Sequence, residues 1–567
     1  MYLLDAMRVN DPNLLAKDWY TTHTLQYHFL FTHLSALLYR LNVVHGAFFT
    51  GYVLIVVFFQ LAWFKFNQLL GGNRNSYLLS NLFFWISAGG LGLGVFDFLQ
   101  DASFVPSNVA NIAMLWAMYY WAKHRPAIAG LLFGLAGLFH VNHALVGIAL
   151  WFGLIIGEWI KFPLKPSETA APEQDHRGYF KGLIIGTTLI LAFCLPNLIP
   201  SAIGALRKSE HKISLNEFVN LYVHLRHPHH YDPLTWPIVL WLSLFWTFPL
   251  AWLQLKKMPW NRPARESCSI VILICAMMTV AFFTAGVWFI LEPMVQASLF
   301  RFSIYPKLLG CIGAAIYLLQ KYPQKRLLQN VSIIAAAATL AVKILINHLP
   351  PIVAKNELVL SRLIFVFMAI TILVDLCEMG FESNPNQPAS RRRFRIYLTV
   401  FFSFLFAIIG LNIAVDASLG KLGSPVFTGT VIEPDYQALC EYCQKNTPAD
   451  SLFIVPPEEQ EFRLRAQRAI VVNFKGVAQL SAELGEWRDR LCRLLDINSL
   501  DVLPKQFSKV FDDLARRYAA LSPEHLKAVA DQYGVNYIIT THSLKFPEGT
   551  ASLIHVEGRF FLYQFKR

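Results

Sequence analysis

A histidine-rich segment lies between two long apolar runs, at positions 224–232. Its side chains include four imidazoles, a guanidinium, a phenol and a carboxylate, and the candidate ligand-binding residues are Arg226, His227, His229, His230 and Tyr231. Imidazole and carboxylate groups bind metals and phosphates, and such groups are costly at membrane depth unless they serve a function. We therefore predict a binding segment here. The alternative is a polar loop whose histidines only pack and hydrogen-bond at an interface.

The composition indicates what kind of chain must position this segment. Of 567 residues, 55% are hydrophobic and only 15% are charged, whereas a soluble protein carries about 25% charged residues. The net charge of +12 lies mainly in short loops between apolar segments, which is the positive-inside pattern of membrane proteins rather than a nucleic-acid-binding surface. We therefore predict a polytopic membrane protein that contacts lipid and binds no nucleic acid.

Apolar segments long enough to cross a bilayer recur up to about position 415. They predict a mostly α-helical transmembrane bundle of about twelve spans, near positions 46–64, 77–96, 108–122, 127–141, 144–160, 180–198, 235–254, 268–290, 302–320, 327–346, 357–377 and 396–415. Gly130 and Gly134 stand four residues apart in one span, a spacing typical of close helix packing. Before the first span, residues 25–41 predict an amphipathic helix that lies at the membrane interface.

Lysine and arginine set the orientation of this bundle. The basic loops alternate onto one side, which we predict to be cytoplasmic. The opposite side then carries the histidine-rich segment and the other polar groups that could do chemistry, among which Gln296 and Arg301 are candidate substrate-binding residues: Asp11, Asp18, Asp97, Asp101, His140, Asn142, His143, Glu292, Gln296 and Arg301. This convergence predicts a single site on the extracytoplasmic face of the plasma (inner) membrane.

Three domains follow from these patterns: an external acidic segment with the interfacial helix at 1–45, a transmembrane domain at 46–415, and an extracytoplasmic α/β domain at 416–567. In the last domain we predict strands at 451–455, 469–473, 536–540 and 560–565, and helices at 436–445, 485–495 and 504–533. A group of cationic and aromatic residues there predicts either a basic aromatic surface or solvated salt bridges: Arg463, Arg468, Lys475, Trp487 and Arg490.

An acidic first external segment, a second external acidic pair, many spans and an external C-terminal α/β domain together resemble the GT-C superfamily. These integral-membrane glycosyltransferases use polyprenyl-phosphate-linked sugars. The segment from Arg8 to Trp19 looks like the first external loop of bacterial members, and Asp97 and Asp101 occupy the place of the second acidic motif. The Arg226–Tyr231 stretch looks similar to a largely uncharacterised bacterial branch. Two features differ from the family: Met1 stands almost at the acidic loop, and the acidic pair has a wider spacing.

The resemblance implies a transfer reaction with assigned roles. Asp18 or Asp11 would act as the general base that takes the acceptor's proton. Arg301 would stabilise the developing charge of the donor's phosphate, and His227, His229 or His230 would add hydrogen-bond donors or bind a metal. Asp97 and Asp101 would hold a divalent cation, Mg²⁺ or Mn²⁺. The acceptor, whether lipid, glycan or protein, stays open.

Two other functions fit the same sequence. Many spans with embedded ionisable groups are also typical of a transporter or lipid flippase. A non-catalytic scaffold of the same architecture would bind a partner through the external domain. Fold-level resemblance does not decide between these functions.

Overall fold

The computed structural model describes residues 2–24, 28–86, 104–159, 176–206, 209–236, 241, 254, 262–288, 290–321, 433–505 and 507–566. Helices dominate the part before residue 322. The first nine are α1 Tyr2–Asn10, α2 Trp19–His23, α3 Phe29–Arg40, α4 Val44–Leu69, α5 Arg74–Ile86, α6 Pro106–Ala122, α7 Pro126–Phe139, α8 Val141–Trp159 and α9 His176–Leu206. Further helices span Leu215–Phe218, Pro228–Tyr231, Arg262–Ala281, Glu292–Ala297 and Ile304–Lys321, with π-helical stretches at Val219–Arg226 and Phe282–Trp288.

Five helical segments in the described part are long and apolar enough to cross a membrane: Val44–Leu69, Val141–Glu158, Arg177–Leu206, Glu266–Trp288 and Glu292–Tyr317. They confirm the prediction of a mostly helical membrane protein. The count of about twelve spans stays a prediction. The spans predicted at 327–346, 357–377 and 396–415 lie outside the described residues, as does most of the one at 235–254.

Small residues let α7 and α9 pack with their backbones in contact. A Cβ atom added to Gly130 would stand 2.3 Å from the Cα of Gly186, and one added to Gly134 would stand 2.9 Å from the carbonyl oxygen of Leu189. Asn197 of α9 also donates hydrogen bonds to the carbonyls of Gly137 and Leu138, at 2.8 and 2.9 Å. The predicted role of the Gly130–Gly134 spacing in helix packing is confirmed.

The C-terminal region folds around a five-stranded sheet of order β2-β1-β3-β5-β4. Its strands are β1 Leu452–Ile454, β2 Ala469–Ile470, β3 Tyr537–Thr540, β4 Ala551–Glu557 and β5 Phe560–Phe565. β1 runs parallel to β2 and β3, and β5 runs antiparallel to β3 and β4. The helices Pro434–Asn446, Phe462–Arg465, Ser481–Leu495, Phe507–Ala519 and Pro523–Tyr533 complete the fold.

Most predicted elements of this region are present, although β2 ends at Ile470 instead of residue 473 and the short helix Phe462–Arg465 was not predicted. Two further differences have local causes. The single helix predicted at 504–533 is two helices, because Ser522 caps the second one through the backbone N–H of His525 and Pro523 occupies its first turn. Strand β4 was not predicted, because half-buried polar and apolar residues give it no clear alternation. The domain boundaries at 45 and 415 stay predictions.

The contact between α7 and α9 leads to a first prediction. Replacing Gly130 by alanine should lower the stability of the full chain by about 1–3 kcal/mol, because the new methyl group would force two helix backbones apart. Gly157 in α8 is the matched control, since an added Cβ there meets no atom within 4 Å. Gly157→Ala should keep or slightly raise the melting temperature. Thermal unfolding in detergent checks both, and equal melting temperatures for the two variants would contradict the packing argument.

Candidate functional site

A cavity of about 420 Å³ opens where the N-terminal segment, the ends of the membrane helices and the C-terminal domain meet. Six groups of described residues, distant in sequence, line it: 4 and 5; 20, 21, 24 and 28; 140–142; 222, 227, 230 and 231; 296 and 301; and 475 with 477–479. Five of the predicted substrate-binding residues line it: His227, His230, Tyr231, Gln296 and Arg301.

The histidine-rich segment enters this cavity as a π-helix, Val219–Arg226, followed by a short helix that starts at Pro228. His224 Nδ1 lies 3.0 Å from Asp232 Oδ2, so the two ends of the segment are held together. Asp232 Oδ1 also accepts from the backbone N–H of Leu234. His224 and Asp232 therefore fix the turn that directs His227, His230 and Tyr231 to the cavity.

Arg301 lies against this turn. Its guanidinium carbon is 5.2 Å from the centre of the Tyr231 ring, which is a cation–π distance. The Tyr231 hydroxyl accepts a hydrogen bond of 3.0 Å from Ser298 Oγ. The buried Nε of Arg301 makes no hydrogen bond to any residue within the described ranges. A guanidinium oriented in this way is suited to bind an anion in the cavity.

Gln296 lines the cavity, and its amide also connects the membrane helices to the C-terminal domain. Its Nε2 donates to Glu292 Oε1 and to the carbonyl of Gln479, both at 2.9 Å. The same Glu292 oxygen accepts from the backbone N–H of Ser481 at 2.8 Å. These bonds position the loop that carries Lys475 over the cavity.

Arg226 does not line the cavity, but its side chain contacts the loop that carries Lys475. Only 6% of the residue is exposed, and its guanidinium donates to the carbonyls of Phe474 and Lys475 at 3.1 and 3.3 Å. Burial lowers the pKa of Arg226 to about 10, which keeps it cationic at neutral pH. The structure thus gives Arg226 a positioning contact to Lys475, a residue that lines the cavity.

Asp18 is completely buried and lies outside the cavity lining. Its Oδ2 accepts from Arg463 Nε at 2.6 Å and from the backbone N–H of Ile470 at 3.0 Å. Its Oδ1 caps α2 by accepting from the N–H of Thr21 at 3.0 Å. These contacts join the N-terminal segment to the C-terminal domain, and the predicted role as general base stays a prediction.

The remaining predicted residues are either away from the cavity lining or outside the described part of the chain. Asp11 is exposed, and its Oδ1 accepts from the backbone N–H of Asn13 at 3.0 Å. Asp97, Asp101 and the side chain of His229 lie outside the described residues. The metal site predicted at Asp97 and Asp101 therefore stays a prediction.

The two interpretations of the cationic and aromatic residues in the C-terminal domain are both wrong for most of the group. Arg463, Arg468 and Trp487 are buried, so they form neither a surface nor a solvated salt bridge. Arg468 donates to the carbonyls of Gln444 and Thr447, at 2.7 and 2.6 Å. Lys475 is the member of this group that lines the cavity.

The cavity also contains two ionisable residues that sequence reasoning did not select, Asp5 and His28. Asp5 of α1 lines it, and burial raises the pKa of this carboxyl from 3.8 to about 7, with Arg8 acting in the opposite direction. The rings of His28 and His140 are 4.9 Å apart at the same wall. Burial lowers the pKa of His28 to about 4, so this imidazole is neutral at neutral pH.

The charges around the cavity define what it can do. Among the described residues, Arg301 and Lys475 are the cations of the lining and Asp5 is its carboxyl, and the imidazoles and hydroxyls of the lining can donate or accept hydrogen bonds. The cations favour an anionic group such as a phosphate. A carboxyl whose pKa is near 7 can accept or release a proton at neutral pH.

A second prediction concerns the buried pair of Asp18 and Arg463, whose side chains are 0% and 6% exposed. Arg463→Ala should lower the free energy of unfolding by about 3–5 kcal/mol, because it leaves a buried carboxylate without its cation. Adding Asp18→Asn to Arg463→Ala should recover part of that loss. Thermal unfolding of the four full-length forms gives the coupling, and strictly additive effects would show that the pair is not a unit.

A third prediction concerns Asp5. Because its pKa is higher in the folded protein than in the unfolded chain, its contribution to stability is complete below about pH 4 and is lost as the pH rises through 7. Asp5→Asn should remove this pH-dependent loss of stability. Between pH 5 and pH 8, the melting temperature of the variant relative to that of the wild type should therefore rise by about a few degrees. Asp11→Asn, at an exposed position, is the control. If the melting temperatures of the wild type and Asp5→Asn differed by the same amount at every pH, the raised pKa of Asp5 would be contradicted.

A family model described as "Domain of unknown function (DUF6798)" matches residues 434–494. Among solved structures, the chain is similar to ArnT from Cupriavidus metallidurans bound to undecaprenyl phosphate, with 13% sequence identity and a TM-score of 0.41. That alignment covers 98% of this chain and 92% of that chain. No curated protein matches this chain. The segment that matches the family model contains Arg463 and Lys475.

Proposed function

We propose that this protein is an integral-membrane glycosyltransferase that transfers a sugar from a polyprenyl-phosphate-linked donor to an acceptor on the extracytoplasmic face of the inner membrane. The observation that carries the proposal is the cavity itself. Two cations, Arg301 and Lys475, share it with imidazoles and with a carboxyl whose pKa is near 7. Such a set supports both parts of the reaction, stabilising a phosphate leaving group and moving a proton.

The first part is recognition of the donor. A polyprenyl-phosphate donor has an apolar tail and an anionic head, so its site must join a lipid-accessible surface to a cationic space. Arg301 lies within the apolar segment Glu292–Tyr317, and Lys475 comes from the C-terminal domain. We infer that the two cations hold the phosphate between the membrane helices and the C-terminal domain. The hydrogen-bond donors among His227, His230 and Tyr231 would then contact the phosphate or the sugar.

The second part is removal of the acceptor's proton. We propose Asp5 as the general base, because it is the carboxyl that lines the cavity and its pKa of about 7 suits proton transfer near neutral pH. Asp18 would then position the N-terminal segment through its ion pair with Arg463. Asp11, which is exposed, would have no part in the chemistry. The Mg²⁺ or Mn²⁺ predicted for Asp97 and Asp101 remains part of the proposal as an expectation from their carboxylate chemistry.

The fourth prediction tests donor recognition. Arg301→Ala should weaken binding of undecaprenyl phosphate about tenfold to a hundredfold, because a charge-assisted hydrogen bond to the phosphate is lost. Native mass spectrometry of the protein in detergent, titrated with undecaprenyl phosphate, measures the bound fraction. Arg559→Ala is the matched control, since Arg559 is an exposed arginine of the C-terminal domain that pairs with Glu433.

The same titration separates the alternatives. Equal affinity of wild type, Arg301→Ala and Arg559→Ala would overturn the assignment of the phosphate site. No binding to the wild type would overturn the donor class. Flux of a polyprenyl-phosphate lipid across proteoliposome membranes, without transfer of a sugar, would overturn the assignment as an enzyme and indicate a flippase.

A further inference from the structure

A second group of ionisable side chains lies at the other end of the helix bundle. His124 follows α6, Glu158 belongs to the last turn of α8, and Glu266 lies in the first turns of the helix Arg262–Ala281. One ligand atom of each comes within 4.8 Å of the other two. α7 begins directly after His124 and Arg125 and ends beside His140 in the cavity. Its fourteen residues place the two sites about 20 Å apart.

The residue types of this group form a mixed metal-ligand set. Imidazole nitrogen and carboxylate oxygen together suit Zn²⁺ and Mn²⁺. Atoms that share one such ion, each about 2.1 Å from it, stand about 3–4 Å apart. The three side chains therefore need to close by only about 1 Å to share an ion, a shift within the range of ordinary rotamer adjustment.

Each carboxylate of the group is oriented by an aromatic side chain outside it. Trp121 Nε1 donates to one oxygen of Glu266 at 2.9 Å, and the Tyr179 hydroxyl donates to one oxygen of Glu158 at 2.5 Å. Glu266 is also only 4% exposed. Hydrogen bonds of this kind maintain the geometry of a metal site, because they fix the orientation of each carboxylate ligand.

A second group of possible ligands lies on the protein surface and provides a comparison. His211, Glu486 and Asp489 also lie within 4.8 Å of one another. Its carboxylates pair with arginines, Glu486 with Arg490 and Asp489 with Arg488, and His211 is exposed. Because these guanidinium groups compete with a metal ion for the carboxylates, His211 is a suitable control position.

We propose that His124, Glu158 and Glu266 bind one divalent transition cation, Zn²⁺ or Mn²⁺. The ion joins the α6–α7 turn to the end of α8 and the start of the helix Arg262–Ala281, three segments that are far apart in sequence. Its role is structural: it ties together the helix ends opposite the cavity. The proposal is independent of the reaction assigned to the cavity, since none of its ligands lines that space.

The fifth prediction tests this site. The purified full-length protein in detergent, equilibrated with Zn²⁺ and then desalted, should retain one more ion per chain than His124→Ala, by inductively coupled plasma mass spectrometry. Zn²⁺ should raise the melting temperature of the wild type and leave that of His124→Ala unchanged. His211→Ala is the matched control and should retain the wild-type ion count. Glu158→Gln provides a second variant if His124→Ala does not fold.

X-ray absorption of the zinc-loaded wild type gives a measurement that does not depend on any variant. One imidazole together with carboxylate oxygens is the expected ligand set. Two or more imidazoles would assign the ion to the histidine-rich segment and overturn the proposal. Equal ion counts in the wild type and a folded His124→Ala or Glu158→Gln variant would also overturn it, as would a wild type that retains no ion.

Discussion

The arrangement of the cavity depends on one buried ion pair. Asp18 and Arg463 are separated by most of the chain, yet their side chains meet at 2.6 Å with almost no exposure to solvent. A buried charge without its partner is strongly unfavourable, so the N-terminal segment and the C-terminal domain can hardly separate. The same Asp18 carboxylate caps α2 and accepts from the N–H of Ile470 in β2. One side chain thereby fixes a loop, a helix and a strand around the space that Asp5 and Lys475 line.

Burial of the groups that line this cavity changes their protonation. Burial shifts two groups in its wall towards their neutral forms: Asp5 towards the protonated acid and His28 towards the neutral imidazole. Arg301 and Lys475 place cationic groups in the same wall, and the guanidinium of Arg301 makes a cation–π contact with Tyr231. An anion that enters the cavity would pair with these cations, and for this reason the geometry favours a phosphate over a neutral ligand.

The sequence predicted those parts of the structure that depend on local pattern. Apolar runs identified the membrane helices, the spacing of Gly130 and Gly134 identified a packing face, and four of five strands were placed within a few residues. The histidine-rich segment was recognised because its composition is unusual for its surroundings. Asp5 was not recognised, because its place in the cavity depends on how the short helix α1 packs against distant segments. The burial of Arg463 escaped prediction for the same reason: an isolated arginine in a polar stretch gives no sign of a partner 445 residues away.

The helix α7 connects the two ends of the molecule at which ionisable groups gather. Its backbone packs on α9 without intervening side chains at Gly130 and Gly134, so it has little freedom to shift along or away from its neighbour. A helix held in this way transmits position over its length, because its hydrogen bonds make it nearly rigid. The placement of His140 in the cavity wall is therefore set partly by where α7 begins, beside His124. Whatever holds His124, Glu158 and Glu266 together also holds the frame on which the cavity is built.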